Sequence, residues 1–214
     1  MERADTFILF DFDGVIVDSF RAAYESARLL CPHLTEENHR ERFEGNIHDR
    51  QDRDEAHTAE CRRDDAEFYA AYYPKVRNEV QLFPGMKEVV ATLAEEHTLV
   101  VISSTPTDLI EELLSSYDLL RHFAWVMGAD VHKSKVEKIK MVFDKYRIGP
   151  SHCVFITDTL GDLREAGQMG VGAIAVGWGF HDVERLMRGS PAHVVHTPDD
   201  LVPTVTEYFA RNRI

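Results

Sequence analysis

Asp11 and Asp13 stand two residues apart at the end of a short apolar run, Thr6 to Phe10, and Gly14 follows them. Ser103 and Ser104 come directly after Leu99-Val100-Val101-Ile102, and Lys135 opens a helical pattern. Asp158 comes after Val154-Phe155-Ile156-Thr157, with Asp162 four residues on. If the apolar runs are neighbouring strands, the three carboxylates of Asp11, Asp13 and Asp158, the Ser103 hydroxyl and the Lys135 ammonium converge at their ends. Like charges crowded at one place are costly, and one lysine does not neutralise three carboxylates. The usual resolution is a hard divalent cation with oxygen ligands, which at a phosphate site means Mg²⁺.

The elements that must do this positioning are legible as short apolar runs alternating with helical periodicity. Strands are expected at 6–10, 98–102, 124–128, 153–157, 172–176 and 193–195, and helices at 86–96, 106–117 and 135–146. Ser134 and Glu137 stand at capping-box spacing before the last of these, with Val136, Ile139, Val142 and Phe143 on one face. Such alternation implies a parallel sheet covered on both faces, with ligands at the carboxyl ends of its strands. From Ser19 to Leu82 the character changes to charged, amphipathic helices, so this stretch reads as an insertion just beyond the first strand. Phe83-Pro84-Gly85 marks the return.

Four of these features in order resemble the haloacid dehalogenase-like superfamily, in the branch with a helical cap. Phe10 to Ser19 is similar to its first motif, Val101-Ile102-Ser103 to the second, Lys135 to the third, and Asp158-Thr159-Leu160-Gly161-Asp162 to the fourth. Val101-Ile102-Ser103, Pro106-Thr107 and Gly177-Trp178-Gly179 look like the phosphoglycolate phosphatases of that family. The resemblance implies an α/β fold, a Rossmann-like parallel sheet core flanked by helices (1–18 and 83–214), with an inserted all-helical cap domain (19–82). It implies Asp11 as nucleophile forming an aspartyl-phosphate and Asp13 as general acid and then base. Gly14, Ser103, Ser104 and Lys135 would bind the phosphoryl group. Mg²⁺ would be held by Asp11, the Asp13 carbonyl and Asp158, with Asp162 anchoring the loop or orienting Lys135. The chain departs from the family at Thr157, where a Gly is usual, and at Lys133-Ser134-Lys135. The second departure leaves Lys133 as a rival, with Lys135 favoured by Ser134 as N-cap.

Other features bound the reading. The 37 Asp and Glu against 24 Lys and Arg give a formal net charge of −13, which argues against nucleic acid as a partner. No apolar run approaches the roughly 18 residues of a membrane span. Cys31, Cys61 and Cys153 are odd in number and widely spaced, which suggests reduced thiols and a cytoplasmic protein. His33, His39, His48 and His57 match no helical ligand pair and read as solvated surface. Gly170 to Ala175 fits a dinucleotide fingerprint only formally, because it precedes a strand. Arg40 and Arg42, near Gly45 and Asn46, either pair with neighbouring Glu or face a substrate. The expectation is a phosphatase for a small phosphorylated metabolite. A sugar phosphomutase of the same fold and a non-catalytic phospho-receiver or binding protein are the alternatives.

Overall fold

The computed structural model describes residues 6–48, 61 and 64–212. Within them β1 (Phe7–Phe10), β2 (Thr98–Ile102), β3 (Phe123–Met127), β4 (Cys153–Thr157), β5 (Gly172–Val176) and β6 (His193–Val195) form one parallel sheet in the order β3-β2-β1-β4-β5-β6. Between β1 and β2 lie α1 (Phe20–Leu30), α2 (Glu36–Glu41), α3 (Asp65–Glu79) and α4 (Met86–Glu96). The remaining helices are α5 (Thr107–Ser116), α6 (Lys135–Tyr146), α7 (Leu160–Gln168), α8 (Val183–Met187) and α9 (Leu201–Arg211). Each expected strand and helix is present to within a residue or so of its expected ends.

The Phe-Ile-Leu-Phe of β1 is buried at every position, as a central parallel strand covered on both faces must be. Ile8 and Phe10 enter one core with Val90, Leu109 and Leu201, while Phe7 and Leu9 enter the other with Ile139, Val142 and Leu163. The chain runs outward from β1 to β3, then crosses back to β4 on the other side of β1. That reversal opens a crevice at the carboxyl ends of β1 and β4. In register, Phe10 pairs with Val101 and with Ile156, so Asp11, Ser103 and Asp158 emerge along one edge.

Helices α1 to α3 leave and rejoin the sheet domain by two adjacent links. The Asp18 N–H donates to the Gln81 carbonyl at 2.9 Å, and the Phe83 N–H to the Ile16 carbonyl at 3.1 Å. The inserted helices then dock back on α7. The Gly161 N–H donates to the Phe43 carbonyl at 2.9 Å, and a Cβ at Gly161 would come within 2.6 Å of the Gly45 carbonyl oxygen. His181 is a clasp between the two parts. Its Nδ1 accepts from the Leu160 N–H at 2.9 Å, so its Nε2 carries the hydrogen and donates to the Arg40 carbonyl at 2.8 Å. Burial holds the His181 pKa down, in keeping with this neutral tautomer.

Four sequence expectations are corrected. Cys31 and Cys61 form a disulfide, leaving buried Cys153 as the free thiol; an odd count and wide spacing do not prevent one pair from meeting where α1 ends. His39 is buried, ringed by Phe20, Tyr24, Phe43 and Phe180, rather than solvated, while His57 lies outside the described residues. The buried stripe of α6 is Lys135, Lys138, Ile139 and Val142, displacing Val136 and Phe143 to partial exposure. Arg40 does not pair with a neighbouring Glu; its guanidinium lies 3.9 Å from the Phe20 ring centre and donates to the Phe180 carbonyl. No described helix is long and apolar enough to cross a membrane.

Candidate active site

The loop after β1 is fixed by the sheet itself, because the Asp11 N–H continues the ladder to the Ile156 carbonyl at 2.9 Å. Asp11 is 5 % exposed, with one carboxylate oxygen taking the Phe12 N–H at 2.7 Å. The other lies 2.9 Å from the Lys135 ammonium. Lys135 also meets Asp162 at 2.5 Å, and the same Asp162 oxygen accepts from Thr157 Oγ1 at 2.7 Å. Lys135, rather than Lys133, is therefore the lysine at Asp11. Ser134 caps α6 by accepting the Glu137 N–H, which aims the first helical side chain into the crevice. The Thr at position 157 has a use that a Gly could not supply: its hydroxyl fixes Asp162.

Asp158 is fully buried, and Gly14 is pressed against it. Gly14 has φ +73°, and a Cβ there would lie 1.9 Å from Asp158 Oδ2, so both conformation and space demand glycine. Oδ2 accepts the Phe180 N–H at 2.7 Å, whereas Oδ1 is buried with no hydrogen-bond partner. A buried, unpartnered carboxylate oxygen is the kind of atom a cation satisfies. Among the described residues no three Asp, Glu, His or Cys side chains are grouped as a metal cage. The set expected from sequence has only two carboxylates, Asp11 and Asp158, with a main-chain carbonyl as the third ligand. These all-oxygen donors suit a hard divalent ion.

Asp13 is held differently, by hydroxyls. Oδ1 accepts from Ser19 Oγ and Tyr72 Oη, each at 2.7 Å, and Oδ2 accepts from Thr105 Oγ1 at 2.7 Å and Ser103 Oγ at 3.3 Å. Ser103 thus reaches Asp13, while Ser104 lies at the cavity edge with its carbonyl accepting from Tyr69 at 3.4 Å.

The electrostatics follow from burial. Desolvation, reinforced by Asp162 and Asp158, pushes Asp11 well above the usual carboxylate range against the pull of Lys135. Burial raises Asp158 to about 7. Burial would raise Asp162 too, but Lys135 and its hydrogen bonds overcome this and hold it low. Lys138, one turn beyond Lys135 and fully buried, donates to the Ser103 carbonyl; burial and the Lys135 charge bring it down to about 7.

A cavity of about 320 Å³ opens over Asp11, Asp13, Ser103, Ser104, Lys135 and Asp162. Its roof is the insertion: Ala23 and Ala27 of α1, Arg42, Asn46 and His48 beyond α2, and Phe68, Tyr69 and Tyr72 of α3. Gly14 and Asp158 do not themselves line it. Sequence reasoning missed Ser19, Tyr72, Thr105, Lys138 and His181. Two were detectable by position, Thr105 two residues beyond Ser103 and Lys138 on the helix face of Lys135. Tyr72 and His181 act across the fold and left no local signal.

The family model of haloacid dehalogenase-like hydrolases matches residues 8–176. A phosphoglycolate phosphatase of Synechococcus elongatus is 27% identical over 208 residues, spanning 94% of this chain and 97% of that one. A 5'-nucleotidase of Pseudomonas aeruginosa is 30% identical over 119 residues, 54% of each chain. The crystal structure of a hydrolase from Pseudomonas syringae superposes with TM-score 0.80 at 18% identity, covering 94% of this chain and 98% of that one. A structure of a predicted phosphoglycolate phosphatase from Haemophilus somnus gives 0.75 at 19%, covering 96% and 100%. With the match spanning most of the sheet and all of the insertion, the chain belongs to the haloacid dehalogenase-like hydrolases, among phosphatase relatives.

Proposed function

We propose that this hydrolase is a Mg²⁺-dependent phosphomonoesterase that removes phosphate from a small metabolite through an aspartyl-phosphate on Asp11. The observation that carries the proposal is Asp11 at the crevice of β1 and β4, 2.9 Å from the Lys135 ammonium and facing a cavity roofed by an insertion. Asp11, the Asp13 carbonyl and Asp158 would hold the cation, whose charge when bound offsets the repulsion between a carboxylate and a phosphate dianion.

In this reading Asp11 attacks phosphorus while Lys135 balances its charge and that of the transferring group. Asp162 and Thr157 keep the ammonium aimed there. Ser103 and Ser104 hold phosphoryl oxygens; the Gly14 N–H, expected from the sequence to do the same, is instead taken by the Val17 carbonyl at 2.9 Å. Asp13 gives its proton to the departing alkoxide, then takes one from the water that splits the acyl-phosphate. Residues 19–82 act as a cap over a core of 1–18 and 83–214. Arg42 and the apolar surfaces of α1 and α3 meet the part of the substrate beyond its phosphate.

The test is release of inorganic phosphate from a panel of phosphorylated metabolites, with and without Mg²⁺. Release that needs both Mg²⁺ and Asp11 is expected. Transfer to a second hydroxyl of the substrate, without release, would instead make the protein a mutase.

A further inference from the structure

Most of what touches Asp13 belongs to the sheet domain or its links. Ser103 and Thr105 come from the loop after β2, and Ser19 sits at the start of α1, where its hydroxyl goes to Asp13 rather than capping the helix. Tyr72 is the exception. It stands in the middle of α3, 59 residues from Asp13 in sequence, and its hydroxyl reaches the carboxylate at 2.7 Å. The ring is 3 % exposed and stacks on Phe68 at 5.3 Å between centres, so the hydroxyl has little freedom to point elsewhere.

The two oxygens of Asp13 are not held alike. Oδ1 has two short contacts, from Ser19 and Tyr72, whereas Oδ2 has one short contact and the 3.3 Å approach of Ser103. A carboxylate offers about four lone-pair sites. The longest of the four contacts is the one a reacting oxygen would displace with least loss, so Oδ2 is the oxygen free to work and Oδ1 the one that is clamped.

We infer that Tyr72 is a positioning residue that clamps Oδ1 of Asp13 from the inserted helices, so that Oδ2 is aimed at the leaving group only while α3 is seated over the site. The inference rests on the proposal that Asp13 is the general acid. In the first step the proton on Oδ2 passes to the alkoxide oxygen as its bond to phosphorus breaks and the bond from Asp11 forms. In the second, a water proton returns to Oδ2 as the water oxygen bonds to phosphorus and the bond from phosphorus to the Asp11 oxygen breaks, freeing inorganic phosphate and the Asp11 carboxylate. Tyr72 neither gives nor takes a proton in either step. Seating α3 therefore couples proton delivery to closure of the cavity, and an unseated insertion leaves the acid poorly aimed when bulk water is present.

The test is the dependence of rate on the leaving group. Tyr72→Phe keeps the ring on Phe68 and removes the hydroxyl. We expect kcat/KM for an alkyl phosphate, whose oxygen must be protonated as it leaves, to fall tenfold or more. The loss on p-nitrophenyl phosphate, whose oxide leaves unaided, should be threefold or less. Tyr73→Phe, on the same helix but with its hydroxyl toward Asp108 outside the cavity, should leave both rates unchanged. Equal losses on the two substrates would reduce Tyr72 to packing, and no loss on either would make its bond to Asp13 idle; either result overturns the inference. Asp13→Asn, assayed in parallel, separates this from the parent reading. If it too loses both substrates equally, Asp13 is not the acid and the proposed mechanism fails first.

Discussion

At Asp11, burial and the nearby Asp158 and Asp162 work against the ionised form, and Lys135 works for it. Asp11→Asn removes the nucleophile, nearly conserves volume and relieves that repulsion. Turnover should fall by at least three powers of ten with no loss of melting temperature, and a tenth of the wild-type rate in a pure preparation would end the aspartyl-phosphate mechanism. Arg42 belongs to the same scale but to the opposite wall of the cavity. If its guanidinium binds the substrate beyond the phosphate, Arg42→Ala removes a charged hydrogen bond of about 1.5 to 3 kcal/mol. KM for the native substrate should rise tenfold or more, with a smaller effect on a small aryl phosphate. Equal losses on both would assign Arg42 to the structure of the roof.

At the level of elements, α6 shows why some of the site was legible and some was not. The strands and flanking helices were readable because parallel strands buried on both faces are apolar at every position and helices keep their period. Asp11, Asp13, Lys135 and Asp158 were readable because each follows a strand or opens a helix. Lys138 was not, because an apolar stripe is sought by residue type, and a lysine on that stripe is passed over although its spacing from Lys135, Ile139 and Val142 is right. The docking of the insertion was illegible for another reason: Gly45 on Gly161, Arg40 on the Phe180 carbonyl and the His181 clasp join segments far apart in the chain. The disulfide was missed because a count of cysteines carries no distance. Lys138 also gives α6 a pH signature. Its pKa lies near 7 in the fold and near 10.4 in an unfolded chain, so between those values the unfolded state binds more protons and stability rises with pH. The gain is a few kcal/mol at most, at about 1.4 kcal/mol per pH unit of the window. Lys138→Met, which keeps length and removes the charge, should flatten the rise in melting temperature between pH 7 and 10. A slope that persists in the variant would assign it to another group.

Over the whole molecule, the crevice lies where the two halves of the sheet diverge, with β1 to β3 on one side and β4 to β6 on the other. Asp11 ends β1 and Asp158 ends β4, so an ion held by both would tie the halves together at the point where the chain reverses. Because the unfolded chain does not hold these groups near one another, such an ion stabilises the fold by RT ln(1 + [L]/Kd), about 2.7 kcal/mol at a hundredfold excess over Kd. For a chain of this size that corresponds to a rise in melting temperature of roughly 5 to 11 °C, at about 2 to 4 °C per kcal/mol. Mg²⁺ should produce the rise in wild type, and Asp158→Asn, which replaces the orphaned Oδ1 by a neutral group, should abolish most of it. Ca²⁺ should also stabilise the fold, yet suppress turnover: its larger radius and higher coordination number let Asp11 bind through both oxygens, so that the lone pair needed for attack is taken. The melting curves and the rates therefore answer separate questions. Stabilisation by both ions with turnover supported by Mg²⁺ alone is the expected pattern. A Mg²⁺ shift undiminished in Asp158→Asn would place the ion elsewhere in the molecule, and equal turnover with Ca²⁺ would show that the coordination of Asp11 does not govern its attack.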